Sequence, residues 1–104
     1  MNFILSPDIS EKKQLESKVK EDSIYALIVY NDDVNTFDFV IDSLVKICDH
    51  NTIQAEQCAY LIHFTGKCSV KNGTFKKLKS LCEALLERGL SAKIEILAPI
   101  SHLL

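Results

Sequence analysis

No stretch of this chain approaches the roughly 18 consecutive apolar residues of a membrane-spanning helix. No excess of positive charge marks it for nucleic acid, since the formal net charge is −2. It lacks internal repeats, low-complexity segments and any Cys-x-x-Cys pair. The start, Met1-Asn2-Phe3-Ile4-Leu5, has neither the charged region, the long apolar stretch nor the cleavage site of a secretory signal. These absences read as a cytoplasmic protein with no membrane and no nucleic acid among its partners. Glycine and proline are scarce, three and two residues, and most of them stand where a secondary-structure element should end. What is present is ordinary: 104 residues, 47 % hydrophobic and 25 % charged, enough for one domain with one modest core.

The four cysteines, Cys48, Cys58, Cys68 and Cys82, are well spread. Without a secretory signal they read as reduced thiols packed as small hydrophobes, with two disulfides as the alternative. The pairs Cys48/His50 and Cys58/His63 are close in sequence but match no recognised metal-ligand spacing. No metal and no cofactor is therefore expected.

Residues 1–23 are charge-rich after a short apolar start and read as a flexible N-terminal extension. Residues 24–30, Ile-Tyr-Ala-Leu-Ile-Val-Tyr, are β-branched and aromatic and predict a central strand. A turn follows at Asn31 to Asn35. Asn35 or Thr36 then caps a helix to about Cys48, with Phe37, Val40, Leu44 and Ile47/Cys48 on its inner face. Asn51 or Thr52 starts a second helix that runs to about Phe64, with Ala55, Ala59, Ile62 and His63 on one side and Gly66 as its stop. Lys67 to Lys71 alternates as a strand, and Asn72-Gly73 is a turn signal. Thr74 caps a third helix ended by Gly89. Ala92 to Leu97 is the last strand, stopped by Pro99. The expected fold is α+β: a three-stranded antiparallel sheet with three helices on one face, in the order β-α-α-β-α-β. The folded domain is set at residues 24–97, followed by a C-terminal tail, 98–104.

The chemistry gathers where the first strand runs into Asn31-Asp32-Asp33. Buried carboxylates are costly unless paired, so such a turn is solvated, caps a helix or receives a cation. If the first two helices pair antiparallel, His63 returns to this turn, and Phe37, Val40, Ala59 and Ile62 line an apolar cavity beside it. An apolar floor with an acidic, hydrogen-bonding rim suits a cation attached directly to an apolar group. A free protein N-terminus is such a ligand: its amine titrates at about 7.7–8.0 and offers three N–H donors. A plain turn and cap at the aspartates, and a structural role for His63, account for the same residues. An acid/base pair of Asp32 or Asp33 with His63 is a further alternative, although no activated nucleophile accompanies it.

The run Val29-Tyr30-Asn31-Asp32-Asp33-Val34-Asn35-Thr36-Phe37-Asp38-Phe39-Val40 resembles the ClpS family, adaptors of Clp-type ATP-dependent proteases. Ile62-His63 and Gly66-Lys67 stand where that family has a second motif, and the likeness extends over about residues 24–97. The resemblance implies a non-enzymatic, monomeric adaptor. It would bind N-degrons, proteins beginning with Leu, Phe, Tyr or Trp, and deliver them to a Clp AAA+ ATPase of the ClpA or ClpC class. Asn31, Asp32 and His63 match the positions that hold the α-amine, and Asp33, Asn35 and Thr36 are supporting. Phe37 matches a gating residue, often Met, and Val40, Ala59 and Ile62 match the walls of the side-chain pocket. The fold implied resembles a ribosomal stalk domain, and the alternative function is a stalk-like interaction module without an N-degron pocket. The sequence departs from the family's aromatic-Thr-Pro at Val34-Asn35-Thr36, so no proline rigidifies this turn. It has Ala59 where Met is common, which deepens the floor. It reads Phe75-Lys76-Lys77 where some members dock through an early Glu, so no docking residue is carried over.

Overall fold

The computed structural model of the chain describes residues 23–98, and the readings given to residues 1–22 and 99–104 lie outside the described residues. The elements run β1 (Ile24–Tyr30), α1 (Phe37–Cys48), α2 (Thr52–Thr65), β2 (Lys67–Gly73), α3 (Phe75–Glu87) and β3 (Ser91–Ala98). This is the expected α+β order. The three strands form an antiparallel sheet in the order β2-β1-β3. β1 lies in the middle, and its uninterrupted burial from Tyr25 to Val29 follows from that position.

Alternation along β1 divides the sheet into two faces. Tyr25, Leu27 and Val29 join one core cluster with Val40 and Leu44 of α1, Ala55, Ala59 and Ile62 of α2, and Leu78 and Leu85 of α3. Ala26 and Ile28 are buried but stand outside that cluster, so the helices cover one face. Leu27, Leu44, Leu78 and Leu85 are fully buried. Truncating any of them to Ala costs about 2–5 kcal/mol.

Local chemistry sets the helix ends. Thr36 caps α1 by accepting from Phe39 N at 3.1 Å, Asn51 caps α2 from Gln54 N at 2.8 Å, and Thr74 caps α3 from Lys77 N at 3.2 Å. α1 closes on a left-handed Asp49 (φ 59°), and α2 on Gly66 (φ 99°). The end of α3 is tied to α1 through Arg88. Its Nε donates to Ser43 Oγ at 2.9 Å, its Nη2 donates to Asp42 Oδ2 at 2.9 Å, and its guanidinium lies 4.6 Å from the centre of the Phe39 ring.

One expectation is corrected. Asn72-Gly73 is not a turn: β2 continues through it, with Asn72 opposite Ala26 and Gly73 opposite Tyr25. An Asn-Gly pair makes a hairpin turn where two strands meet across it, whereas here the next element is the helix capped by Thr74. The register jumps from Leu27↔Lys71 to Ile28↔Ser69, which leaves Val70 as the extra residue of a bulge. The Val70 carbonyl accepts the Nε2 proton of buried His50 at 2.7 Å. This bond fixes the α1–α2 connection onto the sheet.

Candidate functional site

The site forms where β1 ends. Asn31 N donates to Gly66 O at 2.9 Å, and Gly66 N donates back to Ile62 O at 3.0 Å. This backbone link fastens the start of the β1–α1 turn to the C-terminus of α2. It works together with the Tyr30↔Lys67 pairing to place His63 beside Asn31. Two connected cavities result. The outer one, of about 620 Å³, is lined by Asn31, Asp32, Asp33, Asn35, Thr36, Phe37, Tyr60, His63 and Phe64. The inner one, of about 30 Å³, is lined by Asn31, Asn35, Phe37, Val40, Ala59, Ile62 and His63. Every residue singled out in the sequence therefore lines one of the two. Asn31, Asn35, Phe37 and His63 line both.

The two aspartates sit in different surroundings. Asp32 builds the turn: its Oδ1 accepts from Val34 N at 2.9 Å and from Asn35 N at 2.8 Å, and its Oδ2 accepts from Asn35 Nδ2 at 2.8 Å. A carboxylate has about four lone-pair sites, and the turn occupies three of them. Partial burial pushes the Asp32 pKa up, but the hydrogen bonds from Asn35 and Val34 outweigh it and hold the carboxyl below its ordinary value. Asp33 is exposed and makes no hydrogen bond among the described residues.

Asn35 does what a proline could do in this turn. Its Nδ2 donates both to Asp32 Oδ2 and, at 2.9 Å, to Gly89 O in the loop after α3. The turn is rigidified by an amide bridge between two loops.

Val40, Ala59 and Ile62 are buried in the core cluster, while His63 is exposed at the rim rather than turned inward with them. The inner cavity is about the size of one water molecule, so the depth that Ala59 leaves is largely taken up. Phe37, 37 % exposed, lies at the junction of the two cavities. Its ring meets Tyr60 edge-on with centroids 5.4 Å apart. Tyr60 and Phe64 were not singled out from the sequence. The available signal was a pair of aromatics at i, i+4 on α2, off the buried Ala55/Ala59/Ile62 stripe.

The cysteines are free. Cys48, Cys68 and Cys82 are buried, and Cys58 is half-buried. Among the described residues no group of three or more His, Cys, Asp or Glu side chains is placed to hold a metal ion. No described helix is long and apolar enough to cross a membrane.

Comparison with known proteins agrees with this geometry. Residues 20–93 match the family model described as ATP-dependent Clp protease adaptor protein ClpS. A ClpS adapter protein of Campylobacter jejuni (strain 81-176) is 35 % identical over 86 residues, 77 % of this chain and 90 % of that protein. One of Serratia proteamaculans (strain 568) is 37 % identical over 59 residues, 57 % of this chain and 55 % of that protein. Among solved structures, Agrobacterium tumefaciens ClpS2 bound to L-phenylalaninamide superposes with a TM-score of 0.67 at 20 % identity, covering 72 % of this chain and 98 % of that one. The fold, the spacing of Asn31-Asp32-Asp33 and Ile62-His63, and these matches make the chain a member of the ClpS family of ATP-dependent Clp protease adaptors.

Proposed function

We propose that this adaptor holds the free N-terminus of proteins that begin with a large apolar residue, and passes them to a Clp AAA+ ATPase of the ClpA or ClpC class. The observation that carries the reading is the meeting of charged and polar groups with apolar walls in two cavities that share Asn31, Asn35, Phe37 and His63. Asn31, Asp33 and His63 rim the outer cavity, and Val40, Ala59 and Ile62 wall part of the inner one, beside Asn31, Asn35 and His63. The α-ammonium donates to the Asp33 carboxylate, the Asn31 side-chain oxygen and a His63 ring nitrogen. Asp32 holds the turn that presents them. The first side chain enters the inner cavity once Phe37 swings aside, since about 30 Å³ does not admit a Leu or Phe side chain with Phe37 in place. A free amine on a large apolar residue is also the chemistry of the L-phenylalaninamide held by ClpS2.

Charge-assisted hydrogen bonds of about 1.5–3 kcal/mol each, plus about 1.5–3 kcal/mol for burying the side chain, less the cost of association, give affinity in the micromolar range. An acid/base reaction fits the site poorly. His63 makes no hydrogen bond to either aspartate among the described residues, and Asp32 is bonded into the turn.

Fluorescence anisotropy with a peptide beginning with Leu tests the reading. The free-amine peptide binds, the N-acetylated one does not, and Asp33→Ala weakens binding by about 1.5–3 kcal/mol. Equal binding of the two peptides refutes it. A binding footprint on α3, away from His63, would favour the stalk-like module instead.

A further inference from the structure

The outer cavity is far larger than an α-amine needs, and one wall of it is aromatic. Tyr60 and Phe64 stack with centroids 5.4 Å apart and planes 20° from parallel, and Phe64 meets the His63 ring edge-on at 4.7 Å. Both are well exposed, Tyr60 at 58 % and Phe64 at 69 %, although large aromatic side chains ordinarily contribute most when covered. Neither lines the inner cavity. Their wall is continuous with the proposed amine and side-chain sites through Phe37 and His63, which belong to both cavities.

We propose that Tyr60 and Phe64 form a second side-chain subsite, which takes an aromatic residue at the second position of the bound N-terminus. This inference rests on the reading given above. With the first side chain in the inner cavity and the amine at Asn31, Asp33 and His63, the chain leaves through the outer cavity. Successive residues of an extended chain advance about 3.3–3.6 Å. The second residue therefore comes level with the wall that begins one position beyond His63. A planar ring there completes the Phe37–Tyr60–Phe64 series, in which edge and stacked contacts already alternate at 5.4 Å. Ring pairs favour this geometry beyond area alone. A small second residue leaves the wall in water.

The test uses the full chain and three labelled peptides identical after the second residue: Leu-Phe, Leu-Ala and N-acetylated Leu-Ala. Leu-Phe should bind about three- to tenfold more tightly than Leu-Ala, the range of one aromatic pair. In the double variant Tyr60→Ser, Phe64→Ser that ratio should fall to near one. Both positions are exposed, so the double variant should keep the wild-type unfolding midpoint, and the wild-type ratio stands as a measurement even if it does not. If Leu-Ala binding depends on its free amine but Leu-Phe binds no better, the subsite is overturned while the N-terminus reading survives. If acetylation makes no difference, the reading fails and the subsite with it. A ratio that persists in the double variant also overturns the assignment.

Discussion

Replacing Asn35 with Ala removes one amide that makes two hydrogen bonds, to the Asp32 carboxylate at 2.8 Å and to the Gly89 carbonyl at 2.9 Å. A hydrogen bond to a charged group contributes about 1.5–3 kcal/mol and a neutral one about 0.5–1.5. The Gly89 contact is exposed and Asp32 is open to water, so solvent replaces part of both. The net destabilisation should be about 1–2 kcal/mol. With a urea m-value of about 1–3 kcal/mol/M, the midpoint of the far-UV circular dichroism transition should drop by roughly 0.3–2 M. Asn35→Asp should be worse than Asn35→Ala at neutral pH, because it sets a second carboxylate against Asp32 and an acceptor against the Gly89 carbonyl. That extra loss should shrink in acid as the pair takes up a proton. Affinity for a Leu-starting peptide should fall with stability in both variants, since the same turn carries Asn31 and Asp33. If Asn35→Ala leaves the midpoint unchanged, the amide bridge does not hold the turn. If Asn35→Asp is no worse than Asn35→Ala, the electrostatic part of the reasoning is wrong.

Asp49 closes α1 with a positive φ of 59°, beside carbonyls that disfavour its negative charge. Asp49→Gly should raise stability by about 0.5–1 kcal/mol, read as a higher urea midpoint, and a lower midpoint would contradict this. Burial pushes the thiol of Cys48 up to about 11 and that of Cys68 up to about 12, and it also raises Cys82. An alkylating reagent at pH 8 should therefore label the native protein at half-buried Cys58 first, and reach all four thiols only on unfolding, which mass spectrometry would show. Rapid native labelling of Cys48 would refute that packing. Two carboxyls lie below their usual value of 3.8: Asp32, where hydrogen bonds overcome burial, and Asp42, through the hydrogen bond and charge of Lys46 and the charge of Arg88. A depressed carboxyl contributes stability that is present above its unfolded pKa and lost as pH falls through the folded one. The urea midpoint should hold from neutral pH to about 4 and decline below it, and a midpoint that rises in acid would reverse the assignment.

The sequence by itself determined the element order, the central place of β1 and all three helix starts. Each of these rests on local chemistry: β-branched runs, Thr36, Asn51 and Thr74 as caps, and Gly66 and Gly89 as stops. It placed Asn31, His63 and the Phe37/Val40/Ala59/Ile62 set in one neighbourhood only on the condition that α1 and α2 pair antiparallel, with the family resemblance pointing to the same residues. The tertiary structure decided the rest, where the deciding partner is distant in sequence. Asn72-Gly73 became strand because β1 offered it backbone partners. His63 came to the rim because the Asn31–Gly66 link joins two elements that the chain sets far apart. That Asp32 and not Asp33 is bonded into the turn could not be read from two identical side chains in a row. It depends on which carboxylate meets the amides of Val34 and Asn35, and Asn35 is in turn tied to the Gly89 carbonyl in the loop after α3.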